Sequence, residues 1–318
     1  MQIAEIKELS EKIKANVAKV IVGKDDIIEL LLTSMIAGGH VLLEDVPGTG
    51  KTMLAKSLAK SVSVAFKRVQ FTPDLLPSDL TGINYYNQKL GEFVFRKGPI
   101  FTNFLLADEI NRATPRTQSS LLECMEEHQI TADGVTHPLE SPYFVVATQN
   151  PVETQGTFPL PEAQLDRFLI KASVGYPSSS DAGKILDRFR TTNPFDTLEP
   201  VCTGDEIRAA IAGFTQVFVS EDLQRYIVAI AEKTRTHESV ELGVSPRGSI
   251  AMMKACQAYA AIHGRAFVSP EDVKYLAPYV FGHRVILKDD YRMERRNPAD
   301  IVRSVVDSVE APTENWGE

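Results

Sequence analysis

Apolar residues at Ile3, Ile6, Leu9, Ile13, Val17 and Val20 recur at steps of three and four, which predicts one apolar helix face over residues 1–20. A second helix is predicted from Lys24 to Ala37, closed by Gly38-Gly39. The period then shortens. His40 to Glu44 is apolar enough for a strand buried on both faces, and Phe66–Phe71, Phe104–Ala107 and Phe144–Thr148 also read as strands. Helical spacing separates them at Met53–Ser61 and Arg116–His128, a short helix is expected over Glu162–Phe168, and Leu169–Val174 reads as a closing strand.

Two further stretches read as hairpins. Ile83–Asn87 and Phe93–Arg96 flank Lys89-Leu90-Gly91, and Gln129–Ala132 and Val135–His137 flank Asp133-Gly134, a strong turn pair. Hairpin sequence by itself carries no chemistry, so a bare surface hairpin is an equal reading of the first. From Thr203 onward the pattern is helical, over about 204–213, 220–236, 246–263, 269–280 and 298–309. The division expected is residues 1–175, a bridge over 176–200, a helical part over 201–310 and a frayed tail over 311–318.

Composition narrows the class. The 318 residues suggest roughly two domains. A net charge of −8 argues against nonspecific nucleic-acid binding as the main activity. Cys124, Cys202 and Cys256 form no C-x-x-C pair, so a reducing, cytoplasmic setting and buried thiols are expected. The first residues lack the apolar core of a signal peptide, and no apolar run reaches about 18 residues, so no membrane insertion is expected.

The candidate chemistry begins after the first strand. Pro47-Gly48-Thr49-Gly50-Lys51-Thr52 joins it to a helix starting at Met53. Glycines let bare N–H groups approach phosphate oxygens, and the helix points its positive end at the same anion. Lys51 would reach the β- and γ-phosphates of ATP, and Thr52 would ligate Mg²⁺. The motif asks for glycine at position 45, where this chain has Asp45. A carboxylate aimed at phosphates would be repulsive, so Asp45 is expected to turn outward.

Asp108 and Glu109 end an apolar strand, where ligands bind in parallel sheets. Such a pair alone is an ordinary solvated turn. Placed 57 residues after Lys51 with a strand between, it becomes specific: Asp108 can hold the Mg²⁺ and Glu109 can polarise an attacking water. Asn150 ends the next strand and can bond that water or the γ-phosphate, although Asn-Pro is also a common turn start.

These segments in this order resemble the AAA+ ATPases, and their wording resembles the MoxR branch. The strings that carry the likeness are Val69–Asp79, Gly98–Phe101, Leu106–Ala113, Phe158–Phe168 and Gly243–Arg247, within a likeness over about residues 10–290. The resemblance implies an α/β fold: a doubly wound αβα nucleotide-binding domain followed by an all-α lid. Tyr85–Phe95 then looks like the helix-2 insert and Ile130–His137 like the pre-sensor-1 hairpin. It implies that residues 47–53, with Met53 at the end, cradle the phosphates and that Val22 and Gly23 lie near adenine. Asn150 would be sensor 1. Arg247, at a helix start where its charge opposes the dipole, would be sensor 2 reaching the γ-phosphate. Arg167 matches the arginine finger, which acts on ATP held by a neighbouring subunit, so a ring, hexameric in this family's manner, is implied. The MoxR likeness also implies a client or co-chaperone protein carrying a von Willebrand A domain. Three functions follow as expectations: a ring ATPase that remodels a partner, a nucleotide-gated switch with negligible turnover, and a DNA-stimulated motor.

Overall fold

The computed structural model describes residues 1–151, 156–190, 193–294 and 296–312. Part of the expected tail, residues 313–318, lies outside them. The chain opens with α1 (Ile3–Val17) and α2 (Asp25–Ile36), followed by β1 (Val41–Glu44), α3 (Lys51–Ser61) and β2 (Phe66–Gln70). A short helix, α4 (Pro77–Thr81), then leads into the hairpin β3 (Gly82–Asn87) and β4 (Glu92–Lys97). Next come β5 (Phe104–Asp108), α5 (Pro115–Glu127), the hairpin β6 (Gln129–Ala132) and β7 (Val135–Pro138), and β8 (Phe144–Gln149). The α/β part ends with α6 (Glu162–Leu165), β9 (Ile170–Ala172) and α7 (Ser179–Phe189). The remainder is α8 (Gly204–Gly213), α9 (Glu221–Thr236), β10 (Val240–Leu242), α10 (Pro246–Ile262), α11 (Pro270–Phe281), β11 (Ile286–Leu287), α12 (Asp289–Met293) and α13 (Pro298–Ser308).

The five apolar strands form one parallel sheet in the order β2-β5-β8-β1-β9. Alternate residues face opposite layers, as the strand period requires. Val41 and Leu43 pack with α1, α2 and α3, whereas Leu42 packs with Leu121, Leu122 and Met125 of α5. Leu106 and Val146 follow the first pattern, and Leu105 and Val145 the second. Burial on both faces explains why these strands read as continuous apolar runs. The helical region carries, in addition to its helices, a small antiparallel pair, β10–β11. At three and two residues, those strands are too short to show a period. The helix expected over Glu162–Phe168 stops at Leu165.

The first and last helices share a core. Apolar residues of α1 and α2 lie in one cluster with those of α8, α9, α10 and α11. Arg284, just after α11, fastens this helical layer to the segment between α6 and β9. Its side chain is 3% exposed, and it donates to Asp166 Oδ1 at 2.5 Å and to the carbonyls of Asp166, Phe168 and Leu169 at 3.0, 2.8 and 3.2 Å. Burial lowers the Arg284 pKa, and the Asp166 carboxylate works against that.

His40 is buried at the foot of β1. Its Nε2–H donates to the Met125 carbonyl and its Nδ1 accepts from the Val145 amide, both at 3.1 Å. That pattern holds a neutral ring, and burial brings its pKa down to about 4. A folded pKa below the unfolded value of roughly 6.5 means the unfolded chain takes the proton first. Stability from His40 is therefore complete above pH ~6.5 and is lost as pH falls toward about 4. Urea unfolding across that range should show a loss of about 3 kcal/mol from this group, and His40→Gln should flatten the slope. Arg284→Gln leaves several carbonyls and Asp166 without their cation. It should lower the unfolding free energy by about 3 kcal/mol at neutral pH.

Candidate active site

The loop between β1 and α3 turns on two glycines with left-handed backbone, Gly48 at φ 85° and Gly50 at φ 90°. Gly50 is also the residue that precedes α3, and α3 has neither a capping side chain nor an acid in its first turn. Its positive end is thus offered to whatever anion enters the loop. Lys51 donates from Nζ to the carbonyls of Asp45 and Val46, each at 2.8 Å, which uses two of its three N–H groups. Burial lowers the Lys51 pKa, and Asp45, Asp108 and Glu109 oppose that shift.

Asp45 does not turn outward. It is 8% exposed, and its Oδ1 accepts from the Val46 amide at 2.8 Å and its Oδ2 from the Gly175 amide at 2.6 Å. The carboxylate is satisfied by two backbone donors and ties the loop to the chain leaving β9. It is turned into the protein and does not line the cleft over the loop.

A cleft of about 390 Å³ opens above the loop, lined by residues 47–53, Lys56, Asp108, Glu109, Thr148, Gln149 and Asn150. Thr148 is buried in its wall, and its hydroxyl joins the two acids. It donates to Asp108 Oδ1 at 2.6 Å and accepts from the Glu109 amide at 2.9 Å. Glu109 needs that support, because it has φ 56°, a conformation uncommon for a residue with a side chain. Its Oε2 accepts from Gln70 Nε2 at 2.7 Å and from Arg112 Nη1 at 3.0 Å. Arg68 donates to Asp108 Oδ2. Asn150 is buried, and its carbonyl accepts from Asn111 Nδ2 at 3.3 Å.

Other expected site residues lie elsewhere. Arg167 pairs with Glu126 Oε2 at 3.0 Å, and Arg247 pairs with Glu126 Oε1 at 3.1 Å and Asp166 Oδ2 at 3.6 Å. The two arginines therefore meet on one carboxylate, and neither lines the cleft over the loop. Val22 and Gly23 do not line it either. Gly23 (φ 65°) packs against α7, where a Cβ would come within 2.4 Å of Asp181 Oδ2.

Residues 40–170 match the ATPase family associated with various cellular activities (AAA), and residues 232–305 match the AAA lid domain. The chain is 40% identical to the chaperone MoxR1 of Mycobacterium tuberculosis over 98% of its own length and 84% of that protein's. It is 51% identical to the uncharacterised protein YeaC of Bacillus subtilis, over 98% of this chain and 97% of that one. The crystal structure of a candidate ATPase from Cytophaga hutchinsonii superposes with a TM-score of 0.91 at 37% identity, covering 98% and 97% of the two chains. The chain belongs to the MoxR family of AAA+ ATPases.

For a MoxR-family chain, the acids and the loop are where the motif order places them. Among the described residues, no helix is long and apolar enough to cross a membrane. Thr52 and Asp108 are hard oxygen donors in one cleft, which fits Mg²⁺, an ion bound through one or two protein oxygens plus phosphates. Sequence reasoning missed Thr148, Arg68, Gln70 and Arg112. Arg68 and Gln70 left a signal, being polar at alternate positions of a strand. Thr148 left none, since threonine is a common strand residue. Thr148→Val keeps the shape but orphans the Glu109 amide and one Asp108 oxygen. Denaturant unfolding should show a loss of about 1–3 kcal/mol.

Proposed function

We propose that the chain binds and hydrolyses ATP in a ring of like subunits and uses the turnover to remodel a partner protein. The observation that carries this reading is Glu109, held in an uncommon backbone conformation inside the same cleft as Lys51, Thr52 and Asp108. A protein that only binds nucleotide has no use for a carboxylate kept at that place.

Residues 47–53 would receive the phosphates, with the third N–H of Lys51 and the end of α3 facing the β- and γ-oxygens. Thr52 and Asp108 would hold Mg²⁺, which when bound supplies charge neutralisation on the β- and γ-oxygens. Gln70 and Arg112 both use Glu109 Oε2, which leaves Oε1 to take the proton of the attacking water. Asn150 would orient that water or the γ-phosphate. Val22 and Gly23 would contact adenine.

Arg167 fits a role on the next subunit's nucleotide, and Arg247, as sensor 2, would reach the γ-phosphate. The two arginines lie outside the cleft over the loop and are paired with Glu126 and Asp166. A guanidinium brought to the transferring phosphoryl group stabilises the charge that develops there. Arg167 meeting a neighbour's cleft would be a heterologous contact, which closes into a ring when the rotation closes. We take the ring as hexameric by family likeness. The relative named a chaperone supports a protein client, and the family likeness suggests one with a von Willebrand A domain. The exposed Tyr85, Tyr86, Leu90 and Phe93 of the β3–β4 hairpin suit contact with such a client.

Phosphate release by wild type and Glu109→Gln tests the central claim. Hydrolysis should fall about 10²- to 10⁴-fold in the variant; equal, slow rates in both would leave only a switch. Arg167→Ala should lose about 10³-fold. Mixing Arg167→Ala with Glu109→Gln subunits should restore turnover, because a mixed interface joins one intact finger to one intact cleft.

A further inference from the structure

β2 is an edge strand of the sheet, and its Arg68 and Gln70 point to the same side by the two-residue period. Both engage the acids at the end of β5. Arg68 donates twice to one oxygen, Oδ2 of Asp108, from Nε at 3.0 Å and from Nη2 at 2.6 Å. Nη2 also donates to Gln70 Oε1 at 3.0 Å, and Gln70 Nε2 donates to Glu109 Oε2 at 2.7 Å. The Gln70 amide is oriented by both ends, since reversing it would set its NH₂ against the guanidinium.

We infer that Arg68 is a positioning residue that competes with the divalent cation for Asp108. This rests on the ATP-hydrolysing reading above.

The argument is one of counting. A carboxylate oxygen offers about two lone-pair sites. Both sites of Oδ2 are taken by Arg68, and one site of Oδ1 is taken by the Thr148 hydroxyl. A cation bound at the remaining Oδ1 site would lie beside a guanidinium, and like charges at that range repel. A cation bound through Oδ2 must displace Arg68. Either way, holding the metal at Asp108 works against the Arg68 pair.

A simple strap for the edge strand explains less. β2 already pairs with β5 at five residue positions, and the Arg68 side chain is 44% exposed, where an ion pair adds little to stability.

The test measures metal dependence of nucleotide binding, with no turnover required. A fluorescent N-methylanthraniloyl derivative of a non-hydrolysable ATP analogue is held at a fixed concentration with the full chain, and MgCl₂ is titrated. Arg68→Gln should lower the Mg²⁺ midpoint about three- to tenfold, the size expected for removing a half-exposed, charge-assisted contact. Arg68→Lys keeps a cation near Asp108 without the fork and should fall between the two, and it serves alone if Arg68→Gln fails to fold. A midpoint that is unchanged or raised in both variants overturns the inference while leaving the proposed hydrolysis standing. A wild-type chain that binds no nucleotide at any Mg²⁺ concentration overturns the underlying reading, and the inference with it.

Discussion

Parallel pairing in one register places the chemistry of this protein. Leu106 and Ala107 of β5 lie beside Val146 and Ala147 of β8, and Leu43 and Glu44 of β1 lie beside Thr148 and Gln149. The three strands therefore end at a common level, with Asp108, Thr148 and the start of the phosphate loop side by side. A slip of one residue would send the Thr148 hydroxyl to the opposite face of the sheet. The Glu109 amide and the Asp108 carboxylate would then lose the group that joins them. The apolar packing on both faces resists that slip, because it would also exchange the two core-facing sets of residues.

Around this rim, the charged groups come as small closed sets. Glu44 takes Gln149 and Lys171, Asp45 takes two backbone amides, Asp108 takes Arg68 and Thr148, and Glu109 takes Gln70 and Arg112. Each carboxylate is thereby kept in one orientation, which is what a site preorganised for a charged ligand requires. The contacts at Asp108 and Glu109 differ from that at Asp45 in one respect. Apart from Thr148 on the central strand β8, their donors are side chains on an edge strand and a short turn, which can move. The donors at Asp45 are backbone amides, which cannot move without moving the chain.

The second cationic group is tied to the helical region by a shared acid. Asp166 holds Arg284 on one oxygen and Arg247 on the other, and Arg167 is the next residue along the chain. Because Arg284 is buried and also grips carbonyls of Phe168 and Leu169, the segment carrying Arg167 is bound to the layer formed by α10 and α11. The same layer packs on α1 and α2. The helices α1, α2, α10 and α11 and the paired arginines are thus parts of one packed body, although the sequence spreads them over more than two hundred positions.

The apolar strands, the two hairpins, the long helices and the phosphate loop were legible in the sequence, because each depends on local period or local turn chemistry. The place of Asp108, Glu109 and Asn150 at the strand ends was legible for a related reason, each being a polar residue at the end of an apolar run. The α4 helix, the β10–β11 pair and the true end of α6 were not, since runs of five residues or fewer carry too little pattern. Tertiary structure alone decided which way Asp45 turns, that Thr148 joins the two acids, that Arg68 and Gln70 reach across from the neighbouring strand, and that Arg167 and Arg247 meet on Glu126. Each of these is a contact between side chains or amides separated by dozens of residues. Local sequence sets the conformation of the backbone nearby, but the partner of a distant charged group is chosen only when the strands are paired and the layers are packed.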